Sequence, residues 1–190
     1  MPSDWLGAST MNGDIRWGLP SDGHTFPIYA GPANDMDRIA EFADERGVTH
    51  IRFGGDTWSL QSDKGPMASA QTGTGKWTVE GDADTFARSK SYFLRADRHE
   101  FTITAETKNR FVIDIDGEKA GQFSSENRGL RNLHVEFEGP GEKLPLDVQV
   151  FTSWVARLCM ESRVVSNTWM WTLALVACIP LIILVWLGAI

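Results

Sequence analysis

The sequence predicts an α+β protein. An antiparallel β-rich domain, a barrel or sandwich of about eight or nine short strands, carries one short amphipathic helix, a closing helix and a single C-terminal transmembrane helix. Three observations predict this. Between His50 and Glu138, apolar residues recur at every second position in short runs parted by turn residues. The stretch LPLDVQVFTSWVARLCMES, residues 144–162, is apolar around most of a helix. From Thr168 to Ile190 no residue is charged.

Residues 1–33 hold glycine, proline, serine and four aromatics, Trp5, Trp17, Phe26 and Tyr29, with no sustained period. They read as an extended arm. Trp5 and Trp17 are candidates for partner contact, because an aromatic in an irregular segment often anchors a neighbouring surface. Packing on the parent domain is the alternative for both. The next segment, NDMDRIAEFADERG, predicts a helix over 35–46. Asn34 or Asp35 supplies the cap, and Met36, Ile39, Ala40 and Ala43 form one apolar face beside Phe42. Gly47 suits the residue just past the helix end.

From His50 the period becomes two. HIRF and TWSL meet through Gly54-Gly55-Asp56, and MASAQ and KWTVE flank TGTG. EFTITA and RFVIDI follow, then KAGQFS after the turn at Asp116-Gly117. In LHVEFEG, Leu133, Val135 and Phe137 share one face, with His134, Glu136 and Glu138 on the other. The last element of the domain is the closing helix, with Pro145 in its first turn. Its apolar surface is too broad to lie on water, so it buries against the sheet or runs on toward a membrane. The domain thus covers 34–163, and 164–190 is the joint and anchor.

Residues 168–190 match the thickness of a bilayer core, about 30 Å, at the ~1.5 Å rise of a helix. Trp169, Trp171 and Trp186 stand where interfacial rings are expected, and Ala174, Ala177 and Gly188 are small enough to let other helices approach. A helix buried inside a protein core is the competing reading. Arg157 and Arg163 precede the span and no cation follows it, which puts the N-terminal domain on the cytoplasmic side.

The formal charge of -7 argues against a nucleic-acid partner, since phosphate recognition needs clustered lysine and arginine. Two cysteines, Cys159 and Cys178, fall in apolar helical stretches and do not form a disulfide framework. QTGTGKW lacks the first glycine and the final hydroxyl of a phosphate loop, with Ala70 and Trp77 in those places. DIDGE offers two carboxylates, Asp114 and Asp116, but no glutamate at the twelfth position of a calcium loop. His24, His50, His99 and His134 show no metal-ligand spacing. His134 and Glu136 are same-face neighbours, a weak base-and-orienter pair. No catalytic residue, metal or cofactor is expected.

The stretch EFTITAETKNRFVIDIDGEKAGQFSSENRGLRNLHVEFEGPGEKLPLDVQVFTSWVARL resembles the closing half of tubby-like, LURP-one-related domains. The resemblance rests on the hairpin at Asp116-Gly117, on GQF at 121–123 and on the apolar closing helix. It implies a helix that fills a β-barrel, and association with a membrane surface without enzyme activity. The acidic balance departs from the phosphoinositide-binding members, and no lipid-binding residue carries over. Together these features predict a tail-anchored accessory or adaptor subunit, partnered by integral membrane subunits and the lipid bilayer. A lipid-sensing or lipid-handling module of tubby-like type is the alternative.

Overall fold

The computed structural model describes residues 14–20, 22–32, 34–63, 65–124 and 133–163. They form a closed antiparallel barrel of twelve strands. The first six are β1 (Asp14–Trp17), β2 (Thr25–Gly31), β3 (Asp37–Glu45), β4 (Val48–Phe53), β5 (Asp56–Ser62) and β6 (Met67–Thr72). The second six are β7 (Gly75–Gly81), β8 (Ser91–Ala96), β9 (His99–Ala105), β10 (Arg110–Ile115), β11 (Glu118–Ser124) and β12 (His134–Phe137). Each strand pairs with the next in sequence, and β1 closes the ring on β12 through Ile15↔Val135 and Arg16↔His134. Closure leaves no unpaired strand edge, which removes the usual site of edge-to-edge aggregation.

A 3₁₀ turn, Gly139–Lys143, then leads into helix α1, residues 146–163. The helix is enclosed by the barrel. Val148, Val150, Phe151, Trp154, Val155, Ala156, Cys159 and Met160 point in all directions from its axis, and every one is buried. Its contacts come from opposite walls. Phe151 meets Trp77 of β7 edge-on at 5.5 Å, while the Ser153 hydroxyl accepts a 3.1 Å hydrogen bond from Trp17 Nε1 of β1. Each such apolar side chain removed from water contributes about 1.5–3 kcal/mol before entropy is counted. Small residues on β6 make the room: Ala68 stands opposite Val79, and Ala70 opposite Trp77, whose ring lies 5.4 Å from that of Trp58.

The two ends of the barrel differ. At the end where α1 enters, most strands join through two-residue turns, among them Gly54-Gly55 and Asp116-Gly117. Gln149 Nε2 donates to the carbonyls of Gly141 and Leu144 there, at 3.1 and 3.3 Å, tying the helix start to the 3₁₀ turn. At the end where α1 leaves, most connections are longer, the Arg46-Gly47 turn between β3 and β4 excepted. Arg163 fixes the helix by donating to the Ser89 carbonyl at 2.8 Å and to that of Lys108 at 3.1 Å.

Four expectations need correction. The fold is an all-antiparallel twelve-stranded barrel around one helix, and not an α+β domain of eight or nine strands. The segment expected as a helix over 35–46 is strand β3, hydrogen-bonded to β2 and β4 on its two sides. Ala40 and Phe42 point inward, so a period of two fits as well as a helical face, and ring closure decides for the strand. The supposed arm over 1–33 contains β1 and β2, which are full members of the barrel.

The fourth correction concerns the membrane. Among the described residues no helix is long and apolar enough to cross one. The tail-anchored, single-pass reading, and the cytoplasmic side assigned with it, are therefore not supported. The broad apolar surface of α1, one of the features that had suggested a run toward the bilayer, is spent inside the barrel. The residues that carried the prediction, Trp169, Trp171, Trp186, Ala174, Ala177 and Gly188, lie outside the described residues, as does Trp5.

Candidate functional site

Trp17, expected as a possible partner contact, is 3% exposed and faces the lumen. With Phe26 of β2 and Phe42 of β3 it forms a cluster of three rings, their centroids 5.4 to 6.5 Å apart. Strand alternation puts all three on the inner wall just below the mouth from which α1 leaves.

The helix sends Arg157 into this cluster. Its guanidinium lies 4.0 Å from the Phe26 ring centre, 4.7 Å from that of Trp17 and 5.3 Å from that of Phe42. Stacking of this kind suits arginine, whose delocalised charge is weakly hydrated. Arg157 Nε donates to Glu161 Oε1, one helical turn on, at 2.6 Å. Arg157 is 8% exposed, and its Nη1 is buried with no hydrogen-bond partner among the described residues.

Above the cluster a cavity of about 360 Å³ opens between α1 and strands β2 to β5. Phe26, Phe42, Trp154 and Leu158 give it apolar walls, while His24, Asp44, Thr49, Ser62, Arg157 and Glu161 bring polar groups to it. The volume falls within the roughly 300–1,000 Å³ of small-ligand sites. Two further clefts share Asp44 with it, so the concavity continues over the rim. Three exposed large apolar side chains, Leu19, Val48 and Met67, all belong to connections or strand starts at this same end.

One wall of the cavity, Gly23 and His24, is set by Asp22. The Asp22 carboxylate accepts from the Thr25 hydroxyl at 2.7 Å and from the backbone N–H groups of His24 and Thr25 at 2.9 and 2.6 Å. These bonds, the hydroxyl first, hold its pKa down to about 2 from an ordinary 3.8. A depressed carboxylate stabilises the fold above its unfolded pKa, and the contribution is lost as pH falls from 3.8 through about 2. Carbon-detected NMR titration of Asp22 is therefore expected to show a midpoint near 2. A midpoint near 4, the free-carboxylate range of roughly 3.9, would mean that the turn is not formed.

The other residues considered for chemistry lie elsewhere. Asp114 is used in the β10–β11 turn, where its Oδ1 accepts from the Gly117 N–H at 2.8 Å. His134 sits on the outer face of the seam between β12 and β1, paired with Arg16 and turned away from the cavity side of the wall. Its Nε2 lies 2.6 Å from Asp14 Oδ2, and its Nδ1 lies 3.7 Å from Glu136. The structure thus joins His134 to a carboxylate that sequence reasoning missed, and does not bring Asp114 and Asp116 to it. No local signal marked Asp14, because the contact depends on ring closure across 120 positions. QTGTGKW is a hairpin turn, with Thr72 opposite Gly75. Cys159 is fully buried against Tyr92, and burial pushes its thiol well above the usual range, so it is an inert core residue. Among the described residues no cluster of three or more potential ligands for a metal occurs.

Arg157 and the cavity were not recognised as a site from sequence. Arg157 read only as a flanking charge, since nothing in a linear pattern shows that three distant aromatics converge on it. Comparison with family models, with curated proteins and with solved structures gives no match to this chain.

Proposed function

We propose that this chain is a non-enzymatic lipid-handling module of tubby-like type, which takes a single-chain amphiphile at the mouth of the barrel. The observation that carries the proposal is the cavity beside α1, apolar on the side of Phe26, Phe42, Trp154 and Leu158 and polar at its rim. Sites of this kind bind a molecule with an apolar body and a polar end, because burial supplies affinity and a few placed polar groups supply orientation. The apolar rim residues Leu19, Val48 and Met67 support the same reading, since a module that collects a lipid must touch the surface that holds it. The lumen itself is filled by α1, so the ligand occupies the mouth and not the barrel axis.

Leu158→Trp tests the proposal by adding bulk to the cavity wall. The full-length chain is incubated with vesicles of phosphatidylcholine containing lysophosphatidylcholine and oleic acid, separated from them, and analysed by native mass spectrometry. A lipid adduct on the native chain that is lost in Leu158→Trp is expected, with the fold checked by circular dichroism. Adducts of equal abundance on both chains, or none on either, would overturn it. The accessory or adaptor reading would then claim the same rim for a protein partner.

A further inference from the structure

We infer that the polar end of the bound amphiphile is a carboxylate, held by Arg157. This rests on the amphiphile reading above and adds the chemistry of the head group. Arg157 is the only lysine or arginine among the described residues that line the cavity. It is more than nine-tenths buried, yet only its Nε has an assigned partner, Glu161 at 2.6 Å, and Nη1 has none among the described residues. The guanidinium itself lines the cavity, and hydrogen bonds to a charged group are worth more than those between neutral ones, so a ligand acceptor there would be bound strongly. An anionic oxygen is favoured over a neutral one, because charge-assisted hydrogen bonds are about twice as strong.

The size of the charge is limited by the neighbours. Asp44 and Glu161 also border the cavity, and each repels an incoming anion. A doubly charged phosphate monoester meets that repulsion twice over, while a carboxylate meets it once. The rings of Trp17, Phe26 and Phe42 hold the guanidinium plane in place, so the donor is positioned before the ligand arrives. The hydrocarbon chain then lies along Phe42, Trp154 and Leu158.

Isothermal titration of the full-length chain with decanoate, decanol and decyl phosphate separates the possibilities, since the three share one tail. Decanoate is expected to bind at least about tenfold more tightly than decanol, the ratio that one charge-assisted bond provides. Arg157→Lys, which keeps a cation in the ring cluster but loses the fixed fork, is expected to remove most of that preference. Arg157→Gln, in which the charge is gone, is a second variant for the same comparison, and a thermal melt checks that each is folded. Equal binding of decanoate and decanol by the native chain would overturn the carboxylate assignment while leaving the amphiphile reading intact. Tighter binding of decyl phosphate would overturn it in favour of a dianionic head. Failure of all three probes to bind would overturn both proposals.

Discussion

Phe151→Ala is expected to destabilise the barrel by about 3–5 kcal/mol, the usual range for an aromatic truncated in a closed core. Phe151 is fully buried at the centre of α1, in contact with Trp77 on one side and Trp154, 5.7 Å away, on the other. Those rings are held by strand backbones and by the helix, so the space left behind cannot collapse easily. The edge-on pair with Trp77 adds about 1 kcal/mol beyond area. For a chain of this size the melting temperature should fall by on the order of 10 °C, read by circular dichroism. A change of only a degree or two would mean that the helix does not lie inside the barrel.

Gly141→Ala is the second large effect, and it acts on the backbone. A Cβ at this position would stand 1.8 Å from the Ala120 carbonyl oxygen and 2.8 Å from its carbon, both main-chain atoms of β11. No side-chain rotation can relieve that contact. The 3₁₀ turn must move off β11, and with it go the hydrogen bonds from Gln149 that hold the start of the helix. A loss of at least about 3 kcal/mol is expected, at the upper end for overpacking. Urea denaturation midpoints of the two chains measure it. Near-equal midpoints would show that the turn does not seat against β11. Gly47, where no atom lies within 4 Å of an added Cβ, provides a contrast in which only backbone strain operates.

These two positions show how far the sequence can be read. The inward alternation of Leu133, Val135 and Phe137 is local, and it appears in the structure as expected. So do the turns at Gly54-Gly55 and Asp116-Gly117, where positive φ angles favour glycine and are tolerated by aspartate. Burial of α1 was one of the two outcomes its broad apolar surface allowed, and the structure decides for it over a run toward a membrane. Strands β1, β2, β3 and β8 were not foreseen. Gly47 shows why: its positive φ of 84° was legible, but the same conformation ends a helix or turns a hairpin. In β3 it turns a hairpin with Arg46, whose φ is 56°. In β8 the charges of the surrounding stretch concealed the alternation of Tyr92, Leu94 and Ala96, all fully buried. Gly141 itself carries no sequence signal, because its constraint comes from a strand twenty residues away in the chain.

The candidate site was less legible than the fold. Trp17, Phe26 and Phe42 come from three strands, two of them misassigned as an arm and one as a helix, and Arg157 comes from a fourth element. A site of this kind exists only after ring closure, since the rings and the helix are set facing one another by the full circuit of strands. That is also why a motif search cannot find it: beyond the helical spacing of Arg157 and Glu161, which marks many ordinary helices, its residues keep no spacing with chemical meaning.

An amphiphile at the mouth beside Arg157 is seen most directly in an intermolecular NOE spectrum of the chain with carbon-13-labelled decanoate. Cross-peaks are expected from the methylene chain to the ring protons of Phe26 and Phe42 and to the methyls of Leu158, residues that wall the cavity. Cross-peaks confined to outward-facing side chains such as Val48 and Met67, with none to the two phenylalanines, would contradict it.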